Sequence, residues 1–171
     1  IAPHCHDTSR RREGRIRLGF ISAHFGSHTI GKLFEGLVTG IDRETFEITV
    51  FLLKPVDNEL ETSFQRLLDS VDHIAMVPLG LKQAQTLIAS CEIDILYYPD
   101  IGMEPVSYFL AFARLAAVQC ATWGHPVTTG IPNIDYFISF RNQEPTEPSD
   151  HYSEQLKVLD GFCMRYTPPV F

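Results

Sequence analysis

The chain has 171 residues, 44% of them hydrophobic and 20% charged, and a formal net charge of −7. That length supports one domain with a sizeable core, and that composition excludes disorder for most of it. The acidic balance excludes a broad nucleic-acid-binding or anionic-membrane surface, but not a small basic pocket for a phosphate.

Cys5, Cys91, Cys120 and Cys163 are scattered without a CxxC pair; three lie in or near apolar segments and read as reduced, packed thiols of an intracellular protein, and a cytoplasmic location is expected. The most apolar region, about Tyr108 to Trp123, is interrupted by Arg114, so no membrane span is expected. The chain opens on Ile rather than Met and without a signal-peptide pattern, which reads as a piece of a longer protein.

Residues 1–14 carry no periodicity and are expected to be a flexible linker. His4, Cys5, His6 and Asp7 suggest a metal cluster at first sight. Adjacent ligands rarely close one tetrahedral site, however, and no second cluster follows at a suitable spacing, so no metal is expected. Ile16–Ser22 reads as a first strand, followed by a glycine-containing loop and a helix with apolar residues at 30, 33, 34, 37 and 38. Ser27 or Thr29 is placed to cap that helix, whose N-terminus then points with His28 at the sheet edge. Phe46–Leu53 is a second strand and residues 58–69 an amphipathic helix. Residues 71–78 form a third strand, with His73 at its surface or edge, and Leu81–Cys91 a helix. Ile93–Tyr98 is a fourth strand. Residues 104–115 are apolar nearly all round, which predicts a helix covered on two sides.

Ala116–Thr122 reads as a buried strand that runs into Trp123–Pro132, where two glycines, two prolines, a histidine and two threonines fall within ten residues. Glycine admits close approach of backbone to a ligand and proline stiffens the surround. Residues 133–139 are a further strand, 141–150 a polar loop, 151–155 a helical turn, and 156–159 a last strand. Residues 166–171 resemble a linker. Alternating helices and apolar strands predict an α/β, mostly parallel sheet covered on both faces. Three strand-end loops, Gly26–Thr29, Asp100–Met103 and Trp123–Gly130, are then expected to converge on one crevice. Asp100 fits a turn-making role there as well as a ligand-facing one.

The string RLGFISAHFGSHTIGKL resembles the opening of the catalytic region of O-GlcNAc transferases, the SPINDLY-like family. The stretch YPDIGMEPVSYFLAFARLAAVQCATWGHPVTTGIPNIDYFIS is similar to its bacterial branch, and HYSEQL is also characteristic. The resemblance runs from about residue 15 to about residue 160. It implies a GT-B enzyme of two Rossmann-like, doubly wound lobes that transfers a sugar, typically N-acetylglucosamine, from a uridine diphosphate donor to a protein Ser or Thr hydroxyl. No cofactor beyond the UDP-sugar is implied.

Residues 15–165 would be the first lobe. A second lobe, carrying most of the nucleotide contacts, would follow, and this chain alone would be inactive. By the same resemblance His28 is the catalytic candidate, as proton acceptor or as hydrogen-bonding group. Gly124, His125, Pro126, Thr128, Thr129 and Gly130 would lie near the donor sugar, with Asp100 beside them. Animal members have Asp where His24 stands, Tyr where His125 stands and Gly where Val127 stands, which leaves the donor sugar open. The implied partners are a nucleotide sugar, a protein acceptor and the second lobe. A non-catalytic Rossmann-like module that binds a peptide or protein in the same crevice is the alternative.

Overall fold

The computed structural model describes residues 1–6, 14–26, 28–55, 62–162 and 164–165. Seven strands form one sheet: β1 (Ile16–Ser22), β2 (Phe46–Leu52), β3 (His73–Met76), β4 (Ile95–Tyr98), β5 (Val118–Thr122), β6 (Tyr136–Phe140) and β7 (Gln155–Leu159). Their order is β3-β2-β1-β4-β5-β6-β7 and every pairing is parallel. All seven strands therefore end at the same edge of the sheet. The winding runs outward from β1 to β3, then returns to β4 on the other side of β1. That reversal is a topological switch point, where open α/β sheets bind ligands.

The helices are α1 (Thr29–Gly40), α2 (Thr62–Ser70), α3 (Leu81–Ser90) and α4 (Pro105–Ala111). The first two share one buried cluster with β1 and β2, built on Phe20, Phe34, Ile48, Val50 and Leu67. The cluster on the opposite face takes in α3 and α4 with Phe51, Ile88, Leu96, Tyr98 and Leu110. Each buried aromatic or Leu adds about 1.5–3 kcal/mol relative to exposure. Phe51 follows Val50 in β2 yet joins the other cluster, as the two-residue period of a strand requires.

The structure departs from the expected pattern in four places. Residues 1–6 dock on the domain, with Ala2 buried, a 3-10 turn over Pro3–His6, and His4 Nε2 bonded to the carbonyl of Ile93 at 3.0 Å. Residues 7–13 and 166–171 and Cys163 lie outside the described residues. The helix expected over 104–115 stops at Ala111. The buried Gln119 of β5 intercepts its end, its Oε1 accepting from Leu115 N at 2.9 Å, while Asn133 Nδ2 donates to the carbonyl of Phe112 at 2.6 Å. The outer side of that helix is not covered: Phe109 and Phe112 are half-exposed. The helical turn expected at 151–155 lies over Pro148–His151.

Both faces are not covered equally either. Among the described residues no α-helix connects β5 to β6 or β6 to β7. A groove of about 170 Å³ on the α1 side is lined by Phe20, Leu37, Tyr97, Trp123, Ile138 and Phe140. No helix of the described residues is long and apolar enough to cross a membrane.

Candidate functional site

The switch point sets the end of β1 against the loop that follows β4, and a buried hydrogen bond joins them. Ser22 donates its hydroxyl to Asp100 Oδ2 at 2.7 Å and accepts from the backbone N–H of His24 at 2.8 Å. Asp100 is 1% exposed, and its Oδ1 has no partner among the described residues. Burial pushes its carboxyl up to about 6. The Ser22 hydroxyl, its own backbone N–H and Lys54 oppose the rise, and Glu104 adds to it.

The loop after β1 carries two imidazoles. The His24 ring packs against that of His28, centroids 4.5 Å apart and tilted by 36°. His24 Nε2 is buried without a partner among the described residues. Burial holds the His24 pKa below its usual value, with His28 and Lys54 acting the same way and Glu104 against them. The loop rests on the first turn of α1. A Cβ at Gly31 would lie 2.6 Å from the carbonyl oxygen of Gly26, a contact that only glycine permits.

His28, not Ser27 or Thr29, is the N-cap of α1. Its backbone is extended and its Nδ1 accepts from Ile30 N–H at 3.2 Å. Thr29 is the first helical residue, and Ser27 lies outside the described residues. A ring nitrogen that accepts cannot carry the proton, so neutral His28 is protonated on Nε2 and presents an N–H outward.

The loop after β5 closes on the other two. Trp123 stacks on Phe34 of α1 with centroids 4.7 Å apart and planes 16° from parallel. A Cβ at Gly124 would fall 2.1 Å from the Pro99 carbonyl oxygen, so the two loops touch backbone to backbone. His125 covers Gly102, whose φ is +101° and whose Cβ, were there one, would meet His125 Cδ2 at 2.7 Å. His28, Asp100, Gly124 and His125 thus come to one edge of the sheet on adjoining loops, with Pro126 and Val127 exposed beyond them.

Thr128, Thr129 and Gly130 are turned elsewhere. Thr128 Oγ1 donates to Glu154 Oε2 at 2.8 Å, Thr129 N–H donates to Glu154 Oε1 at 2.7 Å, and the Thr129 hydroxyl donates to the same oxygen. Gly130 N–H donates to Ser153 Oγ at 3.2 Å. Both threonine protons are committed inside the protein. Glu154 and Ser22 are the polar residues that sequence reasoning passed over. The HYSEQL string holds Glu154, but nothing local to it says what the carboxylate grips. Among the described residues no three His, Cys, Asp or Glu side chains cluster to hold a metal ion.

Comparison with known proteins agrees with this architecture. The family model described as glycosyl transferase family 41 matches residues 2–164. The UDP-N-acetylglucosamine–peptide N-acetylglucosaminyltransferase of Caenorhabditis elegans is 26% identical over 149 residues, 85% of this chain and 13% of that protein. A UDP-glucose:protein N-beta-glucosyltransferase of Actinobacillus pleuropneumoniae is 34% identical over 93 residues, 52% of this chain and 15% of that protein. The solved structure of a mutant O-GlcNAc transferase from Thermobaculum terrenum superposes with a TM-score of 0.80 at 26% identity, covering 91% of this chain and 30% of that one. The chain therefore spans less than a fifth of the curated relatives it matches and under a third of the solved one. With a family model covering nearly its whole length and a matching all-parallel sheet, the chain belongs to glycosyl transferase family 41 and corresponds to a Rossmann-like lobe of an O-GlcNAc transferase-like glycosyltransferase.

Proposed function

We propose that this lobe forms the sugar-facing half of a crevice in which a bacterial, cytoplasmic enzyme transfers N-acetylglucosamine from its uridine diphosphate to a protein Ser or Thr hydroxyl. A second lobe completes the crevice, no resident cofactor takes part, and the lobe alone does not turn over. The observation that carries this reading is the meeting of three strand-end loops at the switch point of a family 41 chain, with His28 on its rim. The free thiols of Cys5, Cys91 and Cys120 support a reducing compartment.

Each group then has a definite task. His28, with Nδ1 capping α1, offers its Nε2–H to an oxygen of the donor and does not act as proton acceptor in this tautomer. Gly124 lets its loop close on Pro99, and the ring of His125 forms one wall. Catalysis by this half is orientation and exclusion of water around the anomeric carbon. The glucosyltransferase match, 34% identical over 52% of this chain, supplies a second reading of the donor, UDP-glucose.

His28→Asn in the full-length enzyme tests the reading. Asn is a good N-cap, so the fold is retained while the imidazole is lost. Sugar transfer from labelled UDP-N-acetylglucosamine and UDP-glucose should fall about 2- to 10-fold, in keeping with a lost neutral hydrogen bond of about 0.5–1.5 kcal/mol. Unchanged turnover with both donors would remove His28 from the site.

A further inference from the structure

We infer that Glu154 is a positioning residue for the donor side of the crevice: from the position just before β7 it grips the Thr128–Gly130 loop and so fixes where His125 stands. The inference rests on reading that loop as part of the sugar pocket. Residues 128–130 adopt no helix or strand of their own, so contacts distant in sequence must set their shape. Glu154 is 7% exposed and both its oxygens are engaged by Thr128 and Thr129. Ser153 completes the grip. Its N–H donates to Thr128 Oγ1 at 2.9 Å, its hydroxyl lies 2.8 Å from the same oxygen, and it accepts from Gly130 N–H. Thr129 Oγ1 in turn accepts from Ile131 N–H at 3.1 Å.

The segment is thus held at three places: Gly124 against Pro99, residues 128–130 against Ser153 and Glu154, and Ile131 in the core. His125 lies between the first two. Pro126 and Val127 are already exposed, so without the middle hold the ring of His125 rests only on its contact with Gly102 and on the anchoring of Gly124 at Pro99. The threonine hydroxyls point their protons inward, so the loop meets a ligand through the His125 ring and through backbone. A carboxylate suits this role because it accepts several hydrogen bonds at once and donates none.

The test is steady-state kinetics of the full-length enzyme with Glu154→Ala, Glu154→Asp, Glu154→Gln and His125→Ala, varying donor and acceptor separately. Glu154→Ala should raise the donor KM and lower donor kcat/KM about tenfold or more, with acceptor KM unchanged. Glu154→Asp, too short to reach both threonines, should show a smaller rise in donor KM and serves should the Ala variant fail to fold. Glu154→Gln should stay within about threefold of the parent, because its carbonyl oxygen keeps the Thr129 bonds and Thr128 can turn its proton to Ser153. A residue that merely stabilises the fold would reduce the fraction of active enzyme, lowering kcat with both KM values intact; that result overturns the proposal. So does unchanged kinetics in both the Ala and Asp variants. If His125→Ala lowers donor kcat/KM while the Glu154 variants are silent, only the role of Glu154 falls. If all are silent, the reading of the loop falls with it.

Discussion

Asp100→Asn tests whether the buried carboxyl at the switch point is desolvated as its surroundings require. Its ordinary pKa is 3.8, and burial in the fold raises it to about 6. The folded protein therefore holds this proton more tightly than the unfolded chain does. Between about pH 4 and 6 the native state binds more protons, so stability falls as pH rises through that window and stays at the lower level above it. A shift of about two units at 1.36 kcal/mol each amounts to about 3 kcal/mol. The group is 1% exposed, so solvent screening takes little from that figure. The charged neighbours set against it are Lys54, which favours ionisation, and Glu104, which opposes it.

Urea unfolding of the parent and of Asp100→Asn across about pH 3 to 8 singles out this group, since titrations that do not couple to it cancel in the difference. At the acid end both side chains are neutral, and the offset between the variants reports only how well an amide fits beside Ser22. With rising pH the difference should move in favour of Asn by about 3 kcal/mol, nearly all of it below about pH 7. A difference that stays flat would mean that Asp100 is solvated in the folded state. One that moves in favour of Asp would mean that its ionised form is held by a partner stronger than the Ser22 hydroxyl. Either refutes the description of this corner of the site.

Three further outcomes follow from packing. Gly124→Ala drives a Cβ into the Pro99 carbonyl at 2.1 Å, where backbone must move; a loss of about 1–3 kcal/mol by thermal unfolding, with weaker donor binding, is expected. Gly102→Ala strains a φ of +101° and pushes on His125, costing about 1–2 kcal/mol and raising donor KM in the full-length enzyme. Arg66→Ala strands the Glu35 carboxylate, 3% exposed, that Arg66 Nε meets at 2.8 Å between α2 and α1. It should cost about 2 kcal/mol in urea, and Glu35→Gln less, because the amide leaves no buried charge.

The fold was legible because its signals are local. Ile16–Ser22 and Phe46–Leu52 are apolar runs of strand length, and the 30, 33, 34, 37, 38 spacing of α1 can be read one turn at a time. Where distant residues decide, the sequence is silent. The end of α4 is fixed by the side chain of Gln119, eight positions beyond Ala111, and by Asn133. His28 as a cap was missed because Ser and Thr on either side of it are commoner caps. The convergence of the loops could be inferred from strand ends alone. The inward turn of Thr128 and Thr129 could not, since the carboxylate that takes their protons lies some twenty-five residues away.

The way charge is arranged at this edge bears on which part of a transfer reaction the lobe can serve. A departing diphosphate calls for cations or free backbone N–H groups. Among the described residues Lys54 acts on both His24 and Asp100, and it is set against Glu104. Glu154 adds a second buried carboxylate behind the neighbouring loop. Both carboxylates receive hydrogen bonds from the protein's own hydroxyls, so they shape the loops while the ligand-facing edge is left to imidazole rings and backbone. Such a surface suits a neutral sugar and an incoming hydroxyl. Under the proposed function, neutralisation of the leaving group would fall to the part of the relatives that this chain does not span, and donor-sugar selectivity should follow substitutions in this lobe.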